Sequence, residues 1–500
     1  MVAYHSNQFQ FDNTYAKLPE RFYARLNPTP VRKPGLIKIN RLLANNIGLD
    51  PNFLETTDGI NILAGNQVPN GADPIAMAYA GHQFGGWVPQ LGDGRAILLG
   101  EIIGTDGFRY DLHLKGSGQT PFSRNGDGRA WIGPVLREYI LSEAMESLGI
   151  PTTRTLAAIT TGETIFREKT YPGALLVRIA RSHIRVGTLQ YFAAKKDTDA
   201  LELLSNYIIQ RHFPEIQNST NPYIALLESV MSLQAQLIAK WMAVGFIHGV
   251  MNTDNMSLAG ETIDYGPCAF MDNYHPGKVF SSIDQMGRYA YGNQPIIAHW
   301  NLSCFASAIL SLISNNEKIA IEAATQTLNQ FPKLYENAWS SAFCSKIGLF
   351  NQQKDDSDLV KELLDCMSEN KADFTLTFRN LCHLFEEADK ESDVHDNCFT
   401  SLFEDQAASK EWLMKWRQRL TLENKIDSKR QKGMRAVNPA YIPRNHRVEE
   451  VILAALKGDF SPFEKLNNVL SKPFSDQTEN IEFQRPPRPE EIITKTFCGT

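Results

Sequence analysis

One segment, from His248 to Gly266, holds the residue types that carry out metal-dependent chemistry; it reads HGVMNTDNMSLAGETIDYG. Asn255 and Asp264 supply an amide oxygen and a carboxylate, and Mg²⁺ is bound by oxygen ligands of this kind. Asp254 supplies a second carboxylate, which can accept a proton from a hydroxyl group. The spacing indicates a site that holds a divalent metal and moves a proton.

The same segment resembles the catalytic and metal-binding loops of protein kinases, with one residue out of place. Kinases carry H-R-D-x-x-x-x-N followed by D-F-G. His248, Asn255 and Asp264 match the His, the Asn and the second Asp of this pattern. The position of the catalytic Asp is Val250, whose apolar side chain cannot accept a proton. Asp254 could serve as the base if the nucleotide bound in a different pose, so the pattern favours nucleotide and metal binding with altered chemistry.

A second interpretation of this segment needs no ligand. Residues 256–258 and 262–263 could pair as a β-hairpin around a turn at 259–261, with the neighbouring Asn and Asp acting only as turn residues. Short motifs match by chance often enough that this alternative stays open.

Upstream, apolar runs alternate with Asp-Gly turns, a strong hairpin pattern. We predict three consecutive antiparallel strands over 88–91, 95–102 and 108–116. Alternation in the third strand places two sets of side chains on opposite faces: Phe108, Tyr110, Leu112 and Leu114 toward the core, and Arg109, Asp111, His113 and Lys115 away from it.

This order of elements is that of a kinase small lobe, in which a glycine-rich hairpin covers the phosphates and a strand Lys contacts them. Lys115 is that Lys, and Arg95 adds a guanidinium suited to a bidentate phosphate contact. The glycine-rich loop over 116–129 lets backbone amides approach an anion closely. The alternative is an exposed hairpin with solvated charges.

Three arginines, Arg178, Arg181 and Arg185, punctuate the apolar run over 174–187. Basic residues inside such a run need anionic partners or solvent. With Lys115 and Arg95 they would form a cationic pocket; the alternative is an amphipathic strand with solvated arginines.

Two helices are predicted to position these groups. The first begins at Pro134 and ends before Gly149; it carries Glu138 and Glu143 as candidate partners of Lys115, of which we expect Glu138. Another, over 222–245, has a wide apolar face and leads directly to His248.

Composition sets broad limits. The chain has 500 residues, 43% hydrophobic and 21% charged, with a net charge of -6; these values are ordinary for a globular protein with more than one core and argue against a nucleic-acid-binding surface. A basic segment followed by an apolar run is absent from the N-terminus, and we expect no uncharged stretch long enough to span a bilayer, hence a cytoplasmic protein without membrane contact.

The seven cysteines form no C-x-x-C pair. A redox link between Cys268 and Cys498 is a hypothesis, with two unrelated thiols as its alternative.

Taken together, these pieces resemble the selenoprotein O family of protein adenylyltransferases, which are kinase-like folds. The resemblance rests on LPERFYARLNPTPV, YAGHQFGGWVPQLGDGRA, DLHLKGSGQTPFSRNGDGRA, REYILSEAMESLGIPTTR, HGVMNTDNMS, IDYGPCAFMD and NPAYIPRNH. It implies nucleotide contacts at Gly92, Gly94, Arg95, Lys115, Asp127, Gly128, Arg178, Arg185 and Asp264. It also implies Asp254 as the proton acceptor and Asn255 and Asp264 as metal ligands.

The fold implied is α+β: a protein-kinase-like bilobal fold with a small β-rich lobe, a larger helical lobe and extra N- and C-terminal segments. We expect an N-terminal extension over 1–75 with a helix at 37–47, a small lobe over 76–195 and a catalytic core over 196–300. A helical region over 301–500 should follow, in which the basic run over 429–435 is a solvated loop rather than a contact for an acidic partner.

The family resemblance also implies a reaction. ATP would bind in a flipped orientation with Mg²⁺ or Mn²⁺, and a Ser, Thr or Tyr hydroxyl of a protein would attack the α-phosphorus and release pyrophosphate; transfer of UMP from UTP is a related reaction. Two alternatives are an ordinary phosphotransferase, against which Val250 argues, and a non-catalytic nucleotide-binding scaffold. The sequence does not indicate an oligomeric state.

Overall fold

The structure, a computed structural model, describes residues 8–385, 392–423 and 427–497. It is an α+β protein with a large antiparallel sheet and extensive helical regions. The strands are β1 (Tyr23–Arg25), β2 (Gly35–Ile39), β3 (Ile75–Met77), β4 (Gly81–Gln83), β5 (Gly86–Val88), β6 (Ala96–Ile103), β7 (Arg109–Lys115), β8 (Ala130–Trp131), β9 (Arg154–Phe166), β10 (Thr170–Ala180), β11 (Phe246–Ile247) and β12 (Ala269–Phe270).

Seventeen α-helices are assigned in the described residues. They are α1 (Arg41–Asn46), α2 (Pro51–Leu54), α3 (Thr57–Leu63), α4 (Ile132–Ser147), α5 (Val186–Ala194), α6 (Thr198–His212), α7 (Pro222–Ala243), α8 (Gln294–Ile313), α9 (Glu317–Leu328), α10 (Phe331–Lys346), α11 (Asp356–Glu369), α12 (Phe374–Leu381), α13 (Ser392–Thr400), α14 (Gln406–Leu420), α15 (Asp427–Arg435), α16 (Asn445–Ala455) and α17 (Ser461–Leu470).

The main sheet has the strand order β1-β3-β6-β7-β10-β9-β2, and β8 pairs with β10. The predicted hairpin of β6 and β7 is present, with Ala96 opposite Lys115. The predicted strand at 88–91 is wrong, because β5 ends at Val88 and pairs only with β4. Residues 89–95 form a loop instead, since the backbone and carboxylate of Asp93 both bond Met77. The Asp-Gly pattern marks a buried bend here rather than a hairpin turn.

Both faces of β7 are buried. Leu112 and Leu114 pack into an apolar cluster with Tyr110 against it, as the alternation predicts. The predicted core position of Phe108 is wrong, because this residue lies before the strand and is 49% exposed. On the other face, Asp111 and His113 are also only 1% exposed. They are paired: His183 Nδ1 lies 2.9 Å from Asp111 Oδ2, and His113 Nε2 lies 3.3 Å from Asp93 Oδ2. The alternative of a hairpin with solvated charges is therefore wrong.

The two helices predicted to position the site are present. Helix α4 begins two residues before Pro134 and ends just ahead of Gly149, whose φ of +72° suits the residue after a helix. Helix α7 runs from Pro222 to Ala243 and leads through β11 to His248. The helix predicted at 37–47 is wrong in its first half, because Gly35–Ile39 pairs with β9. Tertiary pairing there overrides the local helical pattern.

Two expectations for the second half of the chain are corrected. Tyr291–Ile313 is long and apolar enough to cross a membrane by length and composition, although half of that window is buried inside the protein. The basic run over 429–435 lies within helix α15 rather than in a solvated loop. Arg430 is buried, and its Nη1 lies 3.2 Å from Glu423 Oε2, so the charge has an internal partner.

Lys346, at the end of α10, gives a testable link between pH and stability. It is 2% exposed with Nζ 4.2 Å from the centroid of the Phe378 ring, and burial lowers its pKa to about 7 from the usual 10.5. Between these two pKa values the unfolded chain binds more protons than the native chain. The free energy of unfolding therefore rises with pH in this range, and Lys346 contributes at most about 1.4 kcal/mol per pH unit to that rise. We expect Lys346→Met to raise the thermal unfolding midpoint most at pH 7, with a gain that shrinks by pH 9.

The control is Lys361→Met, because that side chain is 61% exposed and should change the midpoint equally little at both pH values. A gain from Lys346→Met that stays constant from pH 7 to 9 would contradict the lowered pKa.

Candidate active site

A cavity of about 440 Å³ lies between the main sheet and the segment after β11. It is lined by every residue predicted to contact nucleotide or metal or to accept a proton: Gly92, Gly94, Arg95, Lys115, Asp127, Gly128, Arg178, Arg185, Asp254, Asn255 and Asp264. Residues that are far apart in the sequence are thus brought to one site.

An ion cluster forms the inner wall of the cavity. Lys115 Nζ lies 2.7 Å from Glu138 Oε2 and 2.8 Å from Asp264 Oδ1. Arg178 Nη2 contacts the same two carboxylates, at 2.5 Å and 2.7 Å. Arg185 Nη2 lies 3.4 Å from Asp264 Oδ2. The expected contact between Lys115 and Glu138 is present, and three cations share two carboxylates.

The positive charges decide the protonation of this cluster. Burial alone would raise the pKa of Asp264, but Lys115, Arg178 and Arg185 hold it well below its usual value. Burial also opposes ionisation of Glu138, and Arg178 with Lys115 outweighs it, so its pKa is lowered. Both carboxylates are therefore ionised at neutral pH.

Arg185 has unused donor capacity toward the cavity. Its guanidinium lies 4.3 Å from the centre of the Tyr79 ring and 3.6 Å from the carboxylate of Asp93. Its Nε and Nη1 are buried and have no hydrogen-bond partner among the described residues. Since an unpaired buried donor costs free energy, an anion in the cavity would satisfy it. Arg181, the remaining arginine of the predicted set, is directed elsewhere and stacks 3.7 Å from the Phe108 ring centre.

Asp264 adopts an unusual backbone conformation that the loop maintains. Its φ is +64°, in the left-handed region that non-glycine residues rarely occupy. The neighbouring carbonyl of Ile263 lies 2.9 Å from Nε2 of His248, and Gly266 N donates to Asp264 O at 2.9 Å. His248 is 1% exposed, which makes it a structural support of this loop. Strain of this kind is concentrated at functional sites.

Asp254 lies in a short 3-10 turn, Thr253–Asn255, at the edge of the cavity. Burial raises the pKa of its carboxyl group to about 6. Gln83 Nε2 donates to Oδ2 at 3.2 Å, whereas Oδ1 is buried without a hydrogen-bond partner in the described residues. A carboxylate that lines the cavity and has a raised pKa is suited to accept a proton.

The hairpin interpretation of residues 256–263 is wrong. Ser257 bridges to Arg185 and Thr262 bridges to Thr152, so the two halves pair with other parts of the chain rather than with each other. These bridges attach the two halves of the segment to Arg185 and to Thr152, which precedes β9.

The glycines of the cavity wall have a packing role. A Cβ atom on Gly92 would lie 2.4 Å from the ring of Phe122, and one on Gly128 would lie 2.0 Å from the carbonyl oxygen of Gly118. Their φ values of +107° and +67° also disfavour other residues. Asp127 is held by Arg167, with contacts of 2.8 Å and 2.9 Å. The missing side chain of Gly92 thus lets residues 89–95 pack against the loop over 116–129, and that of Gly128 lets the latter loop fold closely on itself.

Several lining residues were missed from the sequence. Asp93 and His113 are buried, and Asp93 connects the glycine loop to Arg185. The glycines on either side of Asp93, Gly92 and Gly94, predict a turn at this position and do not indicate a site residue. Gln83 and Tyr79 precede the glycine-rich region and have no spacing pattern that would identify them.

The redox hypothesis concerns Cys268 and Cys498. Cys268 is buried next to Pro267, whose carbonyl accepts a 2.5 Å hydrogen bond from Thr496 Oγ1. Thr496 also bridges to Ser281. Cys498 itself lies outside the described residues, and the proposed link stays a prediction.

The donor set fits a hard divalent cation. Asn255 Nδ2 donates to Val250 O at 2.9 Å, which leaves its amide oxygen as a candidate ligand. Asp264 Oδ2 has a single long contact, 3.4 Å to Arg185, so it can supply a carboxylate ligand. Amide and carboxylate oxygens suit Mg²⁺ and similar ions.

Comparison with known proteins identifies the family of this chain. Residues 5–471 match a family described as protein adenylyltransferase SelO. A protein from Bradyrhizobium diazoefficiens, named protein nucleotidyltransferase YdiU, is 56% identical over 493 residues, which cover 98% of this chain and 99% of that protein. A protein of the same name from Rhodopseudomonas palustris strain BisB18 is also 56% identical, with the same coverage. The chain therefore belongs to the SelO family of protein adenylyltransferases.

Proposed function

We propose that this enzyme transfers AMP from ATP to hydroxyl groups of protein substrates and releases pyrophosphate. The observation that carries the proposal is that one cavity combines a cationic inner wall with a proton acceptor at a different sequence position from the base of kinases. The wall is formed by Lys115, Arg178 and Arg185, and the acceptor is Asp254, because Val250 occupies the position of the kinase base. Both features suit a nucleotide whose orientation differs from that in kinases.

The charge distribution supports binding of the β- and γ-phosphates deep in the cavity. Arg178 is 1% exposed and Arg185 is 2% exposed, so both are fully desolvated. Charge-assisted hydrogen bonds are strong in such surroundings. With the terminal phosphates held there, the α-phosphate lies nearer Asp254 and Asn255, which is the flipped orientation of ATP.

In the transfer step, the acceptor hydroxyl oxygen forms a bond to the α-phosphorus. The bond from that phosphorus to the bridging oxygen of the leaving group breaks, and pyrophosphate departs. Asp254 takes the hydroxyl proton, a role worth about two to four orders of magnitude in rate. Asn255 and Asp264 would hold the divalent metal, Mg²⁺ or Mn²⁺, which when bound neutralises charge on the phosphates.

The remaining expectations belong to the same proposal. We propose that the main sheet with α4 belongs to the small lobe of a kinase-like bilobal fold, and that the helices after about residue 195 belong to the large lobe. Strands β1 and β2 of the 1–75 segment form the two edges of that sheet. We propose Ser, Thr and Tyr as acceptors, UTP as an alternative donor and the cytoplasm as the location.

The test is a parallel labelling assay with ATP carrying ³²P at the α- or the γ-phosphate. The enzyme is incubated with a protein substrate and Mg²⁺ or Mn²⁺, and protein-bound label is counted. We expect label only from α-labelled ATP, because AMP retains that phosphorus. Label only from γ-labelled ATP would establish a kinase and refute the role given to Val250. If neither form of ATP labels the protein although ATP binding is measured, the non-catalytic scaffold would be favoured. A third reaction with α-labelled UTP tests transfer of UMP.

A further inference from the structure

The small hairpin of β4 and β5 lies directly against residues 252–255, the catalytic turn, which consists of the 3-10 turn that carries Asp254 and the residue before it. It is separate from the main sheet, with Gly81 opposite Val88 and Gln83 opposite Gly86. Its position in the sequence, before the glycine-rich loop, does not indicate a role in catalysis.

Three successive hairpin residues contact three successive residues of the catalytic turn. His82 N donates to Thr253 Oγ1 at 2.7 Å, and Phe84 N donates to Asn252 Oδ1 at 3.0 Å. Between these two backbone contacts, the side chain of Gln83 donates to Asp254 Oδ2 at 3.2 Å. The backbone contacts fix the hairpin on the turn, and the side chain of Gln83 binds the proposed proton acceptor, Asp254.

The hairpin also encloses the second oxygen of Asp254. A Cβ atom on Gly81 would lie 2.6 Å from Asp254 Oδ1, so this oxygen is accommodated only because residue 81 has no side chain. Oδ1 is buried, whereas Asp254 and Gln83 both line the cavity. The oxygen left for the acceptor hydroxyl is therefore Oδ2, the one that Gln83 holds.

A carboxylate without such a contact would rotate. The terminal torsion of an Asp side chain is broad and has no deep staggered minimum. One donor at Oδ2 and close packing at Oδ1 together fix the plane of the carboxylate. Correct placement of a reacting group matters strongly, because a displacement of about 1 Å can lower a rate about 100-fold.

We propose that Gln83 is a positioning residue that orients Asp254 Oδ2 toward the acceptor hydroxyl. This inference rests on the proposed function, in which Asp254 accepts the proton. The carboxamide donates one hydrogen bond to Oδ2 and leaves the other lone pair of that oxygen for the incoming proton. Gln83 acts through Asp254 and makes no bond to the transferred group.

The test compares Gln83→Leu, which keeps the approximate size but removes the donor, with Gln83→Glu, which replaces the donor by a second carboxylate. We expect each to lower kcat for AMP transfer about 10- to 100-fold, with KM for ATP changed less than about 3-fold, because the cationic wall is intact. Gln90→Leu is the matched control, since Gln90 is exposed in the following loop and does not line the cavity. Its kcat for AMP transfer and its KM for ATP should equal those of the unsubstituted enzyme.

A double-mutant cycle separates positioning from a general structural effect. In an Asp254→Ala background, Gln83→Leu should cause no further loss, because residues that act as one unit are not additive. A retained kcat in Gln83→Leu, an equal loss in both backgrounds, or a large rise in KM for ATP would each overturn the inference. If the unchanged chain transfers no label from α-labelled ATP, the proposed function fails instead, so the two failures are distinguishable.

Discussion

Replacing Asp264 with alanine is expected to abolish metal-dependent AMP transfer. The metal would lose its carboxylate ligand, and a bound cation supplies several kcal/mol of charge stabilisation, so a fall of about 1,000-fold or more in kcat is expected. The assay is label incorporation from α-labelled ATP over a range of Mg²⁺ and Mn²⁺ concentrations. Added metal should not restore the rate.

Asp264 is also the counterion of Lys115 and of two buried arginines, which complicates the alanine variant. Lys115 and Arg178 lie within 2.8 Å of its carboxylate, and Arg185 lies at 3.4 Å. Removing one partner of a buried ion pair costs about 3 to 5 kcal/mol of stability. Asp264→Asn keeps the volume and an oxygen but removes the charge, so it should remain better folded and still lose most activity.

Asp106→Asn is the control, because Asp106 lies at the turn between β6 and β7, at the end of the hairpin away from Lys115. Its activity should match that of the unchanged chain. Full activity of a folded Asp264→Asn or Asp264→Ala variant would remove Asp264 from the site.

Residues with distinctive types and spacings were predictable from the sequence. Lys115 at the end of a strand and Glu138 on the next helix define a contact that the structure shows at 2.7 Å. Asn255 and Asp264 are predicted from the residue order of the kinase-like loop, and both line the cavity, while their role as metal ligands stays a prediction. The requirement that charged residues inside an apolar run have partners predicts Arg178, Arg181 and Arg185 at one site; Arg178 and Arg185 line the cavity, whereas Arg181 stacks on Phe108. Such features are encoded locally, which is why one sequence reveals them.

Other features depend on partners distant in the sequence. Residues 37–39 have a helical pattern, yet they pair with β9, and residues 89–95 bend because Asp93 bonds Met77. Gln83 and Asp254 are 171 positions apart and meet only because the β4–β5 hairpin folds onto the catalytic turn. No periodicity in either segment encodes that contact.

Replacing Asp254 should separate chemistry from nucleotide binding. Asp254→Ala is expected to lower kcat by about two to four orders of magnitude, the contribution of a positioned general base. ATP binding should change little, since Lys115, Arg178 and Arg185, which form the proposed phosphate-binding wall, lie on other elements. The measurements are kcat from α-labelled ATP and a direct ATP titration followed by calorimetry.

Asp254→Asn sharpens the comparison, because it keeps the hydrogen-bonding shape beside Gln83 but has no carboxylate to accept the proton. If both variants lose kcat and keep ATP affinity, Asp254 acts in the chemical step. If both variants retain kcat, the hydroxyl proton leaves by another route. Asp254 then does not replace the base that kinases have at the position of Val250. A loss confined to ATP affinity would instead place Asp254 among the nucleotide contacts, since only an interaction made in the transition state lowers kcat at saturating substrate.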